Sequence, residues 1–326
     1  MEVHKPVLVN ELISNIPIDR IRVMVDATVG LGGHAINFLK GTNLRLIGLD
    51  IDEESLKIAE RNLIDFQGRV ELIEANYKDI KDVARMLHLS DIDFICADLG
   101  LSSYQLSCER RGFSFMIESP LDMRYSKKTK ITAEELVNTL DKYELEWIFL
   151  NYGEEARARQ IAEEIIRERK KQRIKTTMQL VDIVHRVKGK RERNLDSATL
   201  VFQALRIAVN DELNNLKIFL KSAFDVLSLN GYLAVISYHS LEDRIVKNAF
   251  KLYSARCRCN EGKCKCEGEP LAEMITRKVI KPTKEEVRDN RRARSAKLRI
   301  IKKIAELKYS EYIDNLGLDR HICYKK

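Results

Sequence analysis

The amino-acid sequence predicts an α/β fold in which a doubly wound, mostly parallel sheet is interrupted after its fourth strand by a helical domain. Three observations lead to this prediction. In the first part of the chain, four short apolar segments alternate with segments of helical periodicity, as in successive βαβ units. The alternation then gives way to a charged, helical stretch of roughly 90 residues. A fifth strand pattern follows that stretch.

The first four strands and the helices between them form the predicted core of the sheet. The strands are expected at 22–28, 44–52, 69–76 and 93–100, and the helices at 33–40, 53–66 and 79–89. Ligands of such sheets bind at the carboxyl ends of the strands, where the strand order switches. The functional residues are therefore expected at those strand ends.

The helical stretch is predicted to be an inserted domain of residues 105–196, leaving 1–104 and 197–326 to the sheet domain. Its helices are expected at 132–139, 142–151, 154–169 and 177–187. The later elements are, in order, an amphipathic helix at 201–229, a strand at 231–238, a helix at 240–253 and an antiparallel edge pair at 274–280 and 297–301. Asn230-Gly231 is the predicted stop of the first of these helices, and Ser240 the predicted cap of the second.

Charge is distributed unevenly along this chain of 326 residues, which is 44% hydrophobic and carries a net charge of +8. Residues 156–194 contain 13 Lys/Arg against 5 Asp/Glu, and residues 277–303 contain 12 against 3. Two basic segments on an otherwise acidic body indicate contact with a polyanion, although solvated helical faces give the same pattern. There is neither an apolar run of about 18 residues nor a signal-peptide pattern, so a cytoplasmic protein without membrane contact is expected.

Four of the seven cysteines crowd into one loop with the pattern C-x-C-x₄-C-x-C; they are Cys257, Cys259, Cys264 and Cys266. The odd total argues against a secreted disulfide framework and favours a reducing compartment. Four thiolates could hold zinc, but structural zinc sites usually space their cysteines as C-x₂₋₄-C. A reducible loop is the preferred interpretation, and no metal site is predicted.

The segment 30–35, GLGGHA, follows the first strand and is a candidate cofactor-binding turn. Its glycines allow a tight strand-to-helix connection and close approach of a ligand to the backbone. Asp50, at the end of the second strand, can accept hydrogen bonds from both ribose hydroxyls of an adenosine. The same spacing fits a dinucleotide fingerprint, so a nicotinamide cofactor competes with S-adenosylmethionine. Asp26 favours the latter, because its carboxylate suits an ammonium or sulfonium and would repel a pyrophosphate.

Several motifs, spread over almost the whole chain, occur in the order found in one family. The most specific are RGFSF at 111–115, PLDMR at 120–124 and HSLEDR at 239–244, accompanied by HKPVL at 4–8 and RARS at 292–295. With these motifs the sequence closely resembles the bacterial 16S ribosomal RNA cytosine-N4 methyltransferases, the MraW-type family.

This resemblance implies a Rossmann-like methyltransferase domain, S-adenosylmethionine as the cofactor and a cytidine in the decoding region of 16S ribosomal RNA as the substrate. Carried over by position, the cofactor contacts are Gly32, Gly33, His34, Asp50, Tyr77, Asp98 and Gln105. Tyr77 would lie along the adenine, or else be a core residue at the entry of a helix. The small ribosomal subunit is the expected partner; naked RNA and the assembled subunit are both open as substrates, as is the oligomeric state.

The catalytic residue is the least defined part of the predicted site. Many amino-group methyltransferases place a polar residue, two prolines and an aromatic after the fourth strand, whereas this chain has Asp98-Leu-Gly-Leu101. No catalytic role is therefore transferred by position. Asp98, Ser102 and His239 are the polar groups near the inferred strand ends. Asp98 is the candidate catalytic residue, and a buried structural acid is the alternative.

The aromatic and basic residues of the inserted domain are candidates for holding the target base, which must leave its stack to react. Phe113 and Phe115, flanked by Arg111 and Arg124, would contact the base and its phosphates, and His239 is a further substrate candidate. Packing of the phenylalanines in the core and a structural turn histidine are the alternatives.

Two other functions compete with RNA methylation. A nicotinamide-dependent oxidoreductase would use the glycine turn but leaves the basic segments and the insertion unexplained. A non-catalytic RNA-binding protein would retain a vestigial pocket, and the intact Gly32, Gly33, Asp50 and Asp98 argue against such decay.

Overall fold

The fold is that of a computed structural model, which describes residues 6–108, 110–192, 195–256 and 269–306. The four clustered cysteines, within 257–266, lie outside the described residues. The strands are β1 Val23–Asp26, β2 Arg45–Asp50, β3 Val70–Glu74, β4 Ile92–Asp98, β5 Arg191–Glu192, β6 Leu195–Asp196, β7 Leu227–Ser237, β8 Ala272–Met274 and β9 Lys297–Lys303.

The helices alternate with the first strands and then dominate the middle of the chain, as predicted. The α-helices are α1 Val9–Asn15, α2 Gly33–Leu39, α3 Glu53–Asn62, α4 Ile80–Met86, α5 Ser103–Ser107, α6 Ala133–Thr139, α7 Lys142–Gly153, α8 Ala158–Arg169, α9 Thr177–Lys188, α10 Thr199–Asn210, α11 Glu212–Val226, α12 Ser240–Tyr253 and α13 Lys284–Asp289. Short 3₁₀ helices occupy Ile18–Arg20, Ile64–Phe66, Tyr77–Asp79 and Arg291–Ser295. Within the described ranges, none of the helices is both long and apolar enough to cross a membrane.

The main sheet has seven strands in the order β3-β2-β1-β4-β7-β9-β8. Strands β3, β2, β1, β4 and β7 run parallel to one another. At one edge, β9 pairs with β7 in the antiparallel sense, and β8 pairs with β9 in the antiparallel sense. The chain moves outward from β1 to β3 on one side and resumes at β4 on the other. The order therefore switches between β1 and β4, where ligands of such sheets bind. The predicted fold class is confirmed.

The central strands are apolar along their length because helices cover both faces of a parallel sheet. Four consecutive residues of β2 and four of β4 are buried. On one face, Phe94 of β4 meets Phe38 of α2 edge to face, with ring centroids 5.4 Å apart. Hydrophobic burial of this kind contributes about 1.5–3 kcal/mol for each large side chain and fixes the strand ends that carry the site.

The predicted helix at 201–229 is wrong in one respect, since it is two helices. Asp211 separates α10 from α11 and has a φ of 51°, a left-handed conformation that ends a helix. The second helix stops at Val226, and β7 begins at once. Asn230, with a φ of 70°, lies in a bulge of that strand rather than at the predicted helix end.

The predicted edge pair is present, but its first strand is displaced. Strand β8 ends at Met274, where a strand over 274–280 was expected. The amides of Ile275 and Thr276 both donate to the carbonyl of Ile300, so the chain bulges away from β9. Pairing resumes at Ile280, which exchanges two hydrogen bonds with Leu298.

The chain divides into two compact units, here called the sheet unit (Met1–Gly100 and Asn215–Lys326) and the helical unit (Leu101–Asn214). The helical unit thus takes in α10, which the sequence assigned to the sheet domain. Within it, α7 packs against α8 and α10, and α8 against α9. Reciprocal capping boxes start α6, α7 and α9 at Thr132, Asp141 and Thr176, which explains why these helices begin where the sequence predicts.

Candidate active site

The glycine turn between β1 and α2 has the backbone that its sequence predicts. Gly30 and Gly32 have φ values of 52° and 86°, which side-chain-bearing residues rarely adopt. A Cβ on Gly32 would also lie 3.2 Å from the Leu63 side chain. The amide of Val29 donates to the carbonyl of Leu49, which ties the turn to the end of β2. The turn is therefore tight; Gly30 is partly exposed, whereas the predicted cofactor contacts Gly32 and Gly33 are buried.

Three aspartates end three neighbouring strands of the sheet unit: Asp50 on β2, Asp26 on β1 and Asp98 on β4. They flank the point where the strand order switches. Parallel strands bring their carboxyl ends to one edge of the sheet, so the three acids lie around the glycine turn. Their grouping could be predicted from the local strand patterns alone. This arrangement is the framework of the candidate site.

Asp50 is bound to the turn by its side chain. Its Oδ2 accepts from the amide of Gly30 at 2.9 Å, and its Oδ1 accepts from the amide of Asp52 at 2.8 Å. Burial raises the pKa of Asp50 from 3.8 to about 7, against the lowering effect of these two bonds. Each carboxylate oxygen has two lone pairs, so both can accept a further hydrogen bond from a ribose hydroxyl.

Asp26 is an almost fully buried carboxyl group with one unsatisfied oxygen. Its Oδ1 accepts from the amide of Thr28 at 3.2 Å, while its Oδ2 has no hydrogen-bond partner among the described residues. Burial raises its pKa to about 6, partly offset by the nearby His34. Buried polar atoms are nearly always paired, so an orphan of this kind calls for a partner outside the chain. A cationic ligand group fits it.

His34 lies at the start of α2 and joins the glycine turn to the N-terminal segment. Its Nε2 is 2.9 Å from the carbonyl oxygen of Val7. Its Nδ1 is 3.9 Å from Oδ2 of Asp98. His34 is thus a buried side chain that links the glycine turn to the N-terminal segment. Its direct contact with a cofactor stays a prediction.

Asp98 is held at the end of β4 by contacts that the sequence does not reveal. Its amide donates to Oγ1 of Thr28 at 2.7 Å, which links β4 to the glycine turn. Tyr238, just beyond β7, lies near the Asp98 carboxylate, since burial and then the charge of Asp98 raise the pKa of the Tyr238 phenol well above its usual range. Tyr238 is a residue that sequence reasoning missed. The register of β4 against β7 brings the two together, and only the tertiary pairing supplies it.

Two other predicted residues of the sheet unit are engaged locally. Tyr77 opens a 3₁₀ helix and meets Phe219 edge to face, with centroids 5.2 Å apart, while remaining partly exposed. His239, rather than the predicted Ser240, caps α12: its Nδ1 accepts from the amide of Glu242, whose carboxylate accepts from the amide of His239. Contact of either residue with a ligand is untested and stays a prediction.

The remaining predicted residues belong to the helical unit. Gln105 forms a capping box with Ser102 at the start of α5. Phe113 is buried and stacks on Tyr125, with centroids 5.5 Å apart, which supports the alternative of core packing. Phe115 is partly buried in the same hydrophobic cluster.

The two arginines of that set make hydrogen bonds within the helical unit. Arg124 pairs with Asp122 through two bonds of 2.8 Å, and this pairing raises its pKa. Arg111 donates to the carbonyl of Tyr125 at 3.3 Å. Both guanidiniums therefore shape the loop before α6, and their predicted contacts with phosphate remain predictions.

Comparison with known proteins extends over nearly the whole chain. Residues 1–304 match the family described as the MraW methylase family. A protein of Dictyoglomus thermophilum named ribosomal RNA small subunit methyltransferase H is 44% identical over 302 residues, covering 91% of this chain and 96% of that protein. Its namesake from Carboxydothermus hydrogenoformans is 42% identical over 305 residues, covering 93% and 98%. Among solved structures, an S-adenosylmethionine-dependent O-methyltransferase of Thermotoga maritima matches with a TM-score of 0.42 and 8% identity, over 95% of this chain and 70% of that one.

Proposed function

The chain belongs to the MraW methylase family, and from this premise we propose that it methylates the N4 amino group of a cytidine in the decoding region of 16S ribosomal RNA. The family match makes it a methyltransferase. The relatives that cover almost its whole length are named for the small-subunit ribosomal RNA, which supports that substrate. The finer choice of cytidine N4 rests on the resemblance of the RGFSF, PLDMR and HSLEDR motifs.

S-adenosylmethionine is the cofactor. The observation that supports its proposed position is the Asp26 oxygen without a hydrogen-bond partner among the described residues. The carboxylate of Asp26 would pair with the ammonium of the methionine moiety. Asp50 would accept hydrogen bonds from the ribose hydroxyls, and the turn at Gly30, where a Cβ would meet only the Thr28 carbonyl oxygen at 3.9 Å, would allow close approach. A nicotinamide dinucleotide would instead bring its pyrophosphate towards an unpaired buried carboxylate, which is repulsive.

The reaction itself asks little covalent chemistry of the protein. When bound, S-adenosylmethionine supplies a methyl group already activated on a sulfonium. The N4 lone pair is delocalised into the ring, so the protein must align the amino group and accept its hydrogen bond as the lone pair localises. Asp98 supplies a carboxylate acceptor at the end of β4 and is the proposed catalytic residue.

The helical unit is proposed to recognise the RNA. It carries the predicted substrate residues Arg111, Phe113, Phe115 and Arg124. With ribosomal RNA as the substrate, the proposed compartment is the cytoplasm, in agreement with the cysteine pattern. The 16S RNA within the small ribosomal subunit is the proposed partner.

The decisive experiment is methyl transfer by the purified protein to unmethylated 16S RNA, offered naked and within small subunits, with isotopically labelled S-adenosylmethionine. Nucleosides from the digested RNA are then separated and identified by mass spectrometry. Labelled N4-methylcytidine is expected, and labelled methyl on another nucleoside would replace the proposed target. Calorimetry with S-adenosylmethionine and with NAD separates this function from the oxidoreductase and from a protein that binds no cofactor.

A further inference from the structure

Thr28 lies two residues beyond β1, at the point where the strand order switches from β1 to β4. The pairing of these strands ends at Asp26 and Cys96, and the amide of Ala27 donates to the carbonyl of Cys96 at 2.8 Å. Alternate residues of a strand direct their backbone groups to the same neighbour, so the amide of Asp98 also faces β1. By that point the chain beyond β1 has entered the glycine turn.

The hydroxyl of Thr28 accepts the hydrogen bond that a strand carbonyl accepts further back along the sheet. Its Oγ1 receives the amide of Asp98 at 2.7 Å, well within hydrogen-bond range. The amide of Thr28 donates to Oδ1 of Asp26 at 3.2 Å. Thr28 is therefore bonded to the acid proposed to pair with the cofactor ammonium through its backbone, and to the proposed catalytic acid through its side chain.

The other hydrogen-bond contacts of Asp98 towards the site are longer. The amide of Gly100 is 3.4 Å from Oδ1 of Asp98, and Nδ1 of His34 is 3.9 Å from Oδ2. A separation of 3.4 Å is at the limit of hydrogen-bond range, and 3.9 Å is beyond it. Among these contacts, the bond to Thr28 is the shortest, and it fixes the backbone from which the Asp98 carboxylate extends.

We propose that Thr28 is a positioning residue for methyl transfer, whose hydroxyl holds the end of β4 so that the target amino group can donate to the Asp98 carboxylate. This inference rests on the proposed function and adds a second residue to it. Without the hydroxyl, the amide of Asp98 loses its acceptor and the strand end shifts. A misplacement of about 1 Å at a reacting group can cost about 100-fold in rate, so a smaller shift should have a measurable effect.

The test compares two pairs of full-length proteins that differ in the hydroxyl at position 28. Thr28→Val is paired with the wild type, and Thr28→Ala with Thr28→Ser. At saturating cofactor and small subunits, kcat should be about five- to ten-fold lower in Thr28→Val and Thr28→Ala than in the wild type, and nearly normal in Thr28→Ser. The KM for S-adenosylmethionine should stay within about two-fold in all three variants, because the amide that donates to Asp26 is retained.

Thr276→Val is the matched control at the β8–β9 edge of the sheet. Oγ1 of Thr276 accepts from the amide of Ile300 at 2.9 Å, which is the same kind of bond to a strand amide in the same unit. Both valine variants remove the acceptor of such an amide and should lower the melting temperature. Only Thr28→Val should lower kcat.

A double variant separates positioning from a merely structural role. In Asp98→Asn with Thr28→Val, kcat should equal that of Asp98→Asn alone, because the hydroxyl acts only through the residue that carries the carboxylate. If Thr28→Val does not fold, the comparison of Thr28→Ser with Thr28→Ala decides the same question.

The outcomes distinguish this inference from the proposed function. The positioning role is wrong, and the function stands, if wild-type protein methylates the cytidine and the hydroxyl makes no difference to kcat in either pair. The same holds if Thr276→Val lowers kcat as much as Thr28→Val, or if the losses of Asp98→Asn and Thr28→Val multiply. If wild-type protein transfers no methyl group to small-subunit RNA, the proposed function is wrong and the inference goes with it.

Discussion

Asp26 is the residue at which stability and ligand binding oppose each other most directly. Its carboxyl group is buried, and one of its oxygens has no partner among the described residues. The cost of burying this group beside the glycine turn is offset if a cation that arrives with the cofactor pairs with the unsatisfied oxygen.

The first prediction at this scale concerns Asp26→Asn without ligand. Burial raises the folded-state pKa from 3.8 to about 6, so the folded chain binds this proton more tightly than the unfolded chain. This proton therefore stabilises the fold at a pH below 3.8, the pKa in the unfolded chain, and the stabilisation is lost as pH rises through about 6, the pKa in the folded chain. The free energy of unfolding should change by about 2–3 kcal/mol between these limits. Melting curves should show Asp26→Asn more stable than wild type at pH 8, with the gap closing below pH 4.

The same variant should bind S-adenosylmethionine more weakly, because the amide cannot balance an ammonium charge. Equal melting temperatures for variant and wild type at pH 4 and at pH 8 would mean that Asp26 is not buried as described. Unchanged cofactor affinity would mean that the ammonium group of S-adenosylmethionine does not pair with Asp26.

A second prediction at the residue scale concerns Asp98→Asn, which keeps the shape and removes the charge. We expect kcat at saturating cofactor to fall about ten-fold or more, since removing a general base commonly has effects of 10²–10⁴. Asp93→Asn is a matched control on the same strand, because Asp93 Oδ2 accepts from the amides of Arg22 and Val23 at its opposite end. It should reduce stability and spare kcat. Normal kcat with a raised KM in Asp98→Asn would assign Asp98 to the cofactor alone.

At the scale of elements, the two basic segments differ in how much of their charge is available. In the helical unit, Lys171 pairs with Glu168 and Arg173 with Glu134, so much of the charge on and around α8 is neutralised locally. The 3₁₀ turn Arg291–Ser295 is different. Buried Ala293 anchors it, and Arg291 and Arg294 are exposed on its surface.

We therefore expect the variant with Arg291→Ala and Arg294→Ala to bind small-subunit RNA more weakly and with a shallower salt dependence. Each lost phosphate contact should reduce the slope of log K against log salt by about 0.7–0.9. Lys171→Ala with Arg173→Ala is the matched control in the ion-paired segment and should leave the slope nearly unchanged. Filter-binding titrations across a salt series measure both, and a slope that only the control changes would place these phosphate contacts at Lys171 and Arg173 instead of the 3₁₀ turn.

How far the sequence predicts these elements depends on whether the deciding interaction is local. The first four strands, the glycine turn and the acids at the strand ends are set by short-range patterns, and the structure confirms their predicted positions. The separation of α10 from α11 at Asp211 could not be predicted in this way, because the apolar spacing continues across Asp211 and only its left-handed backbone ends the helix. The place of Tyr238 could not be predicted either, because its packing against Gly100, two residues beyond Asp98, depends on the pairing of β4 with β7.

For the whole molecule, the site should behave as a stabilising ligand site. S-adenosylmethionine at 100 times its dissociation constant should raise the unfolding free energy by about 2.7 kcal/mol, and NAD at the same concentration should not. Asp50→Ala should reduce the thermal shift, because the lost hydrogen bonds weaken binding by about 1–3 kcal/mol. Differential scanning fluorimetry measures all three. A shift with NAD, or an undiminished shift in Asp50→Ala, would mean that the pocket is misassigned.

The neighbouring places of β4 and β7 in the sheet have a consequence for the synthesis of this chain. About 130 residues separate the end of β4 from the start of β7, including the whole helical unit. At roughly 5–20 residues per second, β4 emerges from the ribosome about 6–26 s before its partner and meanwhile presents an unpaired edge. A helical unit that folds first would shorten the loop to be closed. Half of the site, from Asp26 to Asp98, must wait during that interval for β7, the strand that pairs with β4.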